Sequence, residues 1–425
     1  MTGRRAVGEV DSVYAWLRLL AGVLTSTIGG VGMWSIAVVL PTLQADFGVT
    51  RADVSLAYTA VMLGAVVGGP VMGWLSDRFG ITVPVAIGTA MLALGLALAS
   101  QAATMWQFTL VHGLLIGGGT SASFGPVIAD ISLWFAKRRG VAVAICSSGS
   151  YLAGTVWPLV IQPLAQWVGW RHTYFGIALF CLCSMLPMLL ALRRRLPVDA
   201  GRHSAHGFAP RRAFAGGGNG LQLLLMLAGV ACCIAMAMPQ VHIVAYCTDL
   251  GYGPARGAEM LSLMFGTGII SRLSFGWIAD RIGAAPALLI SSSLQAASLL
   301  AYFGANGLTS LYVVTAMFGL VQGGIVPTYA LIVRECYPPS EAGSRIGLVL
   351  SSTLAGMAIG GWMSGAIFDA TLSYRAAFLN GFAWNLLNMA IAAWFAAATP
   401  AQDGKVRVKP IHRCVANDRP ARSGE

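Results

Sequence analysis

Long apolar runs alternate with short polar breaks along almost the whole chain. An α-helix needs about 20 apolar residues to cross a bilayer core about 30 Å thick. Twelve runs of this kind cover residues 17–40, 55–76, 82–100, 106–130, 140–162, 173–192, 221–246, 257–279, 285–304, 309–333, 346–368 and 376–398. The pattern predicts an all-α membrane protein with twelve transmembrane helices.

The composition of the chain agrees with lipid as its main surroundings. Of 425 residues 56% are hydrophobic and only 10% are charged, and the mean hydropathy is +0.72, whereas soluble domains carry about 25% charged residues. The net charge of +11 does not indicate a nucleic-acid partner, because the basic residues form short clusters between apolar runs. The sequence shows no metal-ligand cluster, cofactor motif or catalytic constellation, so we expect neither a cofactor nor an enzyme.

The distribution of Lys and Arg predicts the orientation in the membrane. If the N-terminus is cytoplasmic, 22 of the 27 basic residues lie on the cytoplasmic side. Arg51, Arg171, Arg256 and Arg375 lie on the other side, and Arg272 lies within a helix. By the positive-inside rule we expect both termini in the cytoplasm. The richness in Ala, Gly and Arg suggests a bacterial inner (plasma) membrane.

An internal repeat divides the chain into two halves. A shift of 203 positions places Asp46-Phe47-Gly48 on Asp249-Leu250-Gly251 and Gly73–Gly80 on Gly276–Gly283. We therefore predict a six-helix bundle over 1–192, a cytoplasmic linker over 193–220, a second six-helix bundle over 221–398 and a basic cytoplasmic tail over 399–425. Halves related in this way face each other across a central cavity in transporters.

The repeated G-x-x-x-D-R-x-G lies at the cytoplasmic end of the second helix of each half. Its glycines allow close helix approach, and its Asp–Arg pairs can bridge helices in one conformation and separate in another. We therefore expect these residues to form a gate, although a simple loop staple is an alternative. The predicted gating residues are Gly73, Asp77, Arg78, Gly276, Asp280 and Arg281.

The motif in both halves resembles the signature of the major facilitator superfamily. This resemblance implies the fold of that family, two pseudo-symmetric six-helix bundles that transport by alternating access, in a protein that is usually a monomer. Residues 81–84 depart from the family pattern, which has basic residues after the final glycine of the first copy. The gate of the first half is therefore expected to be the weaker one.

Two further segments resemble one branch of that family. Residues 134–149 are similar to the fifth-helix signature of monocarboxylate transporters, with an aromatic pair, a basic triplet and small residues at the same spacing. Residues 11–16 look like a degraded copy of the first-helix signature of that family. Oxalate/formate antiporters share the fifth-helix pattern, so the resemblance implies a secondary carrier of small organic anions.

Arg272 is the candidate for binding such an anion. An arginine at mid-membrane costs about 2.5–3.5 kcal/mol on insertion scales and is usually functional. Gly268 and Gly276 share its helix face and are expected to leave room for a ligand, whose carboxylate could accept two parallel hydrogen bonds. The resemblance implies the same role, because these carriers have an eighth-helix arginine four residues before a glycine. Snorkelling or a structural ion pair is the alternative.

The coupling mechanism stays open at this point. Proton-coupled carriers of the resembled branch have an aspartate where this chain has Gly268 and a lysine where it has Trp34. The oxalate carrier has a lysine in its eleventh helix, and residues 346–368 contain none. One buried cation suits a substrate with one carboxylate. Facilitated diffusion, exchange for a counter-anion and proton coupling through His242 or His112 are the alternatives.

Other polar residues complete the predicted site. We expect Tyr151, Gln322, Tyr329 and His242 to line the cavity, although hydrogen bonds between helices are the alternative for each of them. Asp130 is expected to belong to the cytoplasmic gate together with Arg138 and Arg139.

Two other functions compete with an anion carrier. One is an exporter of drugs or other neutral solutes, in which a buried cation would have no role in binding the substrate. The other is a non-transporting membrane sensor, which a flux that depends on substrate concentration would exclude.

Overall fold

The computed structural model describes residues 10–194, 218–305 and 307–398. This part of the chain contains twelve helices long and apolar enough to cross a membrane, as the apolar runs predicted. They are α1 Val13–Phe47, α2 Arg51–Phe79, α3 Thr82–Ser100, α4 Met105–Trp134, α5 Arg139–Val168, α6 Trp170–Leu192, α7 Asn219–Asp249, α8 Pro254–Ile282, α9 Ala284–Gly304, α10 Leu308–Cys336, α11 Pro339–Thr371 and α12 Tyr374–Ala398.

The helices extend beyond the apolar runs that predicted them. Helix α2 begins four residues before its run, at a capping box in which Thr50 and Asp53 bond each other's backbone N–H groups. It ends at Gly80, whose φ of 80° L-residues other than glycine rarely adopt. Hydropathy therefore marks only the lipid-embedded part of each helix, while polar capping residues decide where the helix ends.

Helices α1–α6 and α7–α12 form the two halves, which meet through α2 against α11 and α5 against α8. We call the end that contains the two copies of the repeated motif the motif end, and the opposite end the Arg51 end. The predicted linker at 193–220 lies almost entirely outside the described residues, and the predicted tail at 399–425 lies wholly outside them.

Four of the helices are interrupted near the middle of the membrane. Helix α1 is interrupted at Gly30, α5 at Ser148, α4 between Ser121 and Gly125, and α10 between Gln322 and Ile325. Each interruption leaves carbonyl groups without their usual partners four residues along the helix. In transporters, interrupted helices often supply the backbone groups of the binding site.

Glycines allow the close contact between α2 and α4. A Cβ atom at Gly117 would lie 2.5 Å from the Val61 carbonyl oxygen, and one at Gly64 would overlap the Gly113 carbonyl. Close backbone approach of this kind replaces the hydrophobic effect as the means of joining helices in lipid.

We expect Gly117→Val to destabilise the fold, because the new side chain must push α2 and α4 apart. Overpacking a tight site costs about 1–3 kcal/mol. The matched control is Gly176→Val, since no heavy atom lies within 4 Å of a Cβ at Gly176 in α6. Thermal unfolding of the purified proteins measures the difference, and equal midpoints would contradict the close contact.

Candidate functional site

Arg272 lies inside the membrane at the contact between the two halves. It precedes the end of α8 by ten residues, which is about 15 Å of helix, and its side chain is half-buried. Its Nη1 donates a 2.7 Å hydrogen bond to the Ser147 carbonyl in α5, and its Nε donates a 3.4 Å bond to the Gly323 carbonyl in α10. The guanidinium therefore joins three helices.

Both carbonyls belong to interrupted helices. Ser147 is the last residue of the first segment of α5, and Gly323 caps the first segment of α10. Carbonyls at such helix ends lack backbone N–H partners within the helix and carry partial negative charge. Neutral dipoles thus hold the cation in place.

No carboxylate in the described part of the chain pairs with Arg272. The ion pairs found there are Arg18–Asp130, Arg51–Asp249, Arg171–Asp46, Arg256–Glu259 and Arg345–Glu341. The structural ion pair considered as an alternative for Arg272 is therefore not formed by the described residues. Its hydrogen bonds to the carbonyls leave its full positive charge available to a ligand.

The space beside Arg272 differs from the expectation at one of its two glycines. At Gly268 the Tyr151 ring fills the space, since a Cβ there would overlap that ring, whereas at Gly276 no heavy atom lies within 4 Å. The lack of a side chain at Gly268 lets α5 approach α8, so this glycine accommodates an aromatic ring of the protein. The open side of the arginine faces the motif end.

Three aromatic rings form a layer on the Arg51 side of the guanidinium. Tyr151 lies beneath Arg272, with 4.4 Å between the guanidinium carbon and the ring centroid. Phe265 stands 5.5 Å from Tyr151 and 4.1 Å from Trp34, measured between centroids. Because Trp34 and Phe265 are buried, this layer separates Arg272 from the Arg51 end.

Gln322 is the other predicted site residue that lies close to Arg272. It immediately precedes Gly323, and its Oε1 accepts a 2.6 Å hydrogen bond from Nε2 of Gln240 in α7. The Nε2 of Gln322 is buried and has no partner in the described chain. This unpaired donor is next in sequence to the carbonyl that Arg272 binds, so it could donate to a ligand held by Arg272.

Two other predicted residues lie elsewhere. The Tyr329 hydroxyl is 2.6 Å from the Asn388 Oδ1 and 3.1 Å from the Ala228 carbonyl, inside the second half. His242 lies near the Arg51 end, where its ring nitrogens contact Tyr374 and Gly361. Neither residue makes a hydrogen bond to Arg272 or its immediate partners.

The charged residues of the repeated motif are exposed at the motif end. Asp77, Arg78, Asp280 and Arg281 all face outward, and the described residues include no ion pair for any of them. Arg78 lies over the Trp74 ring and Arg281 over the Trp277 ring, each on its own helix.

The glycines of the repeated motif are not close-packed in this conformation. A Cβ at Gly73 or Gly276 would have no neighbour within 4 Å. The close helix approach that we expected at these two positions is therefore not present here.

The Arg51 end is closed by a network across the two halves. Arg51 at the start of α2 forms an ion pair with Asp249 of α7 and donates a 2.9 Å hydrogen bond to the Tyr374 hydroxyl of α12. The backbone N–H groups of Arg51 and Ala52 donate to the Asp369 carboxylate of α11. Sequence reasoning missed this network. Its one signal is that Arg51 has no counterpart in the repeat, where Pro254 takes its place.

Asp130 does not join Arg138 and Arg139 as expected. Its carboxylate accepts two hydrogen bonds from Arg18 of α1, at 2.7 and 2.9 Å, and Arg18 is only 1% exposed. Arg138 is exposed, and Arg139 donates to the Ser132 hydroxyl. In this conformation Asp130 faces α1 inside the first half, so the expected grouping with Arg138 and Arg139 is not present here.

A family model for the Major Facilitator Superfamily matches residues 22–308 and 223–413. The chain belongs to the major facilitator superfamily. It is similar to two structures of a bacterial homologue of the human lysosomal transporter Spinster. These are inward-facing and unoccupied (TM-score 0.64, 17% identity, 91% of this chain and 97% of that one) or inward-facing and occupied (0.67, 15%, 91% and 98%).

Curated relatives of this major facilitator protein include a monocarboxylate transporter and fungal transporters. Monocarboxylate transporter 13 of Bos taurus is 26% identical over 87% of this chain and 86% of its own length. The MFS-type transporter opdF of Penicillium oxalicum is 26% identical over 75% and 74%. The Fujikurins efflux protein of Gibberella fujikuroi is 28% identical over 66% and 60%. The chain is thus an integral, multi-pass membrane transporter.

We expect loss of either partner of the Arg18–Asp130 pair to destabilise this transporter. An uncompensated charge left in a buried pair costs about 3–5 kcal/mol, so Arg18→Gln and Asp130→Asn should each lower the thermal midpoint strongly. The matched control is Arg256→Gln, because the Arg256–Glu259 pair is exposed and such pairs contribute about 0–1 kcal/mol. An equal effect of all three substitutions would show that Arg18 and Asp130 are not a structural pair.

Proposed function

We propose that this major facilitator transporter carries small organic anions with one carboxylate, and that Arg272 binds the carboxylate. The transporter works by alternating access as a monomer. The composition supports a place in a bacterial inner membrane, with both termini in the cytoplasm. Protons or a counter-anion are the candidate coupling partners.

The uncompensated charge of Arg272 is the observation that supports this proposal. A guanidinium has five N–H donors, and the bonds to Ser147 and Gly323 use two of them. A membrane-embedded cation without a carboxylate partner is costly, and a substrate carboxylate would remove that cost with short, charge-assisted hydrogen bonds. A neutral substrate would leave it in place.

The surroundings of Arg272 favour a small substrate. Tyr151, Phe265 and Trp34 close the side toward the Arg51 end, while the space at Gly276 is open. The acid enters from the open side with its carboxylate against Arg272 and its apolar part toward Gly276. The likeness to monocarboxylate transporter 13 supports the same substrate class.

The charged residues of the motif end are proposed to close the other access path. Asp77, Arg78, Asp280 and Arg281 are exposed while the Arg51 end is closed. In the opposite conformation these residues, with Arg138 and Arg139, are expected to form pairs between helices as the Arg51 network separates. Such an exchange of ion pairs is how rocking of two rigid halves gives alternating access.

We expect Arg272→Gln to reduce uptake of labelled monocarboxylates into proteoliposomes by about 10- to 100-fold, the effect of losing hydrogen bonds to a charged group. Lactate, pyruvate and formate are the probes, with oxalate as a test of a second carboxylate and with and without a pH gradient. Arg256→Gln is the matched control, because it removes an exposed arginine from the same helix.

Two outcomes would contradict the carboxylate proposal. One is a rate of carboxylate uptake that is the same in the wild type, Arg272→Gln and Arg256→Gln. The other is transport of neutral solutes with no carboxylate competition, which would favour the alternative of an exporter of drugs or other neutral compounds. The likeness to fungal efflux proteins supports that second candidate. Absence of any concentration-dependent flux would favour a membrane sensor.

A further inference from the structure

A directed chain of hydrogen bonds connects the Arg51 network to His242. The Arg51 Nη1 donates to the Tyr374 oxygen at 2.9 Å, and the Tyr374 hydroxyl lies 3.1 Å from the His242 Nδ1. The other ring nitrogen, Nε2, lies 2.8 Å from the Gly361 carbonyl oxygen. The chain therefore runs from α2 through α12 and α7 to α11.

The partners fix where the protons lie. Arg51 can only donate, so the Tyr374 hydroxyl proton is available for the His242 Nδ1. The Gly361 carbonyl can only accept, so Nε2 carries the proton of the neutral ring. Each side-chain polar atom in this series of hydrogen bonds then has a partner, as long as His242 is neutral and the Arg51 end is closed.

A second proton on His242 breaks this arrangement. A protonated Nδ1 becomes a donor and cannot accept from Tyr374. It would compete with Arg51 for the same hydroxyl oxygen, and one hydroxyl group would separate two buried cations. Like charges this close in a low-dielectric interior repel strongly. The closed conformation therefore disfavours a protonated His242.

The acids nearby do not remove this conflict. Asp249 on the same helix is already paired with Arg51, and Asp369 of α11 accepts from the Arg51 and Ala52 backbone. The acids of α1 and α8 at this end, Asp46 and Glu259, are paired with Arg171 and Arg256. A protonated His242 could gain a carboxylate partner only by competing for Asp249 or Asp369, which now join the two halves.

The hydrogen bonds of His242 also involve the contact between the two halves. Gly361, which accepts from His242, packs against the Tyr58 ring of α2, since a Cβ at this glycine would lie 2.8 Å from the ring carbon Cδ1. His242 therefore contacts both a residue of the closing network and a residue of the α2–α11 interface.

We propose that His242 is a proton-binding site that controls the Arg51 end. The neutral histidine holds this end closed, and binding of a proton favours its opening. Acid on that side of the membrane would thus increase the population of the conformation open to it. The proposal depends on alternating access and is independent of Arg272 and of the substrate.

The test measures how readily the α2–α11 interface opens at two pH values. Ser55 is fully buried in α2 and faces Gly365 of α11, so Ser55→Cys gives a thiol that should react with a polar maleimide only after opening. Peptide-resolved mass spectrometry follows this cysteine in the purified protein. Its rate is divided by that of a free thiol at the same pH.

We expect the normalised rate to rise from pH 7.5 to pH 5.5, by up to about tenfold per pH unit for one linked proton. His242→Gln should abolish the rise, because glutamine keeps an acceptor for Tyr374 and a donor for Gly361 but does not titrate. The matched control is His112→Gln. His112 is a buried histidine of α4 whose ring contacts the Phe108 carbonyl and takes no part in the hydrogen bonds around His242. This variant should keep the full response to pH.

Tyr374→Phe provides a second variant in case His242→Gln folds poorly. It removes the hydroxyl between Arg51 and His242, so we expect faster labelling at both pH values and a weaker dependence on pH. A flat response of the parent Ser55→Cys protein would overturn the proposal. A full response retained by both His242→Gln and Tyr374→Phe would do so as well. Carboxylate uptake enters none of these measurements, so either proposal can fail without the other.

Discussion

A guanidinium can be buried in a membrane protein only where something replaces the water that it loses. Placing one at mid-membrane costs about 2.5–3.5 kcal/mol on insertion scales. Arg18, Arg51 and Arg272 replace this water in three different ways. Arg18 is compensated by Asp130 within one half, and Arg51 by Asp249 across the two halves. Arg272 has two backbone carbonyls and the Tyr151 ring, and no carboxylate among the described residues. This difference separates a structural arginine, a closing arginine and a candidate binding arginine.

The interrupted helices make the third arrangement possible. A continuous helix uses its own carbonyls, whereas the interruptions of α5 and α10 free the carbonyls of Ser147 and Gly323 at the depth of Arg272. Because one carbonyl comes from each half, the cation lies where the halves move against each other. Under the proposed function, binding at Arg272 would therefore be connected to rocking through the backbone.

The sequence predicted the fold well because lipid imposes a simple rule on it. Each spanning helix needs a long apolar run, so twelve runs and a repeat were enough to define twelve helices in two halves. The site could be predicted only in part. Arg272 was recognisable as a charge inside an apolar run, but hydropathy does not tell which way a helix is rotated. Asp130 therefore turned out to face Arg18, and Tyr329 to face Asn388.

The internal repeat distinguishes cations that both halves share from cations that only one half contains. Under the shift of 203 positions, Arg18, Arg51 and Arg272 correspond to Leu221, Pro254 and Gly69, whereas Arg78 corresponds to the equally exposed Arg281. The matched pair lies at the surface, whereas these three unmatched cations are buried or half-buried. A buried charge that the repeat does not contain at both positions is thus a candidate for a specific role, because the shared fold does not require it.

The contacts of Arg272 have a consequence for the shape of what it can hold. Tyr151 covers one face of the guanidinium, and the carbonyls of Ser147 and Gly323 occupy two of its donors. In the proposed binding mode a carboxylate approaches along the remaining edge, so the protein would set its plane. The substituents on the neighbouring carbon then point in fixed directions, toward the aromatic layer or toward Gly276. Mirror-image forms of one acid are not equivalent in such a site.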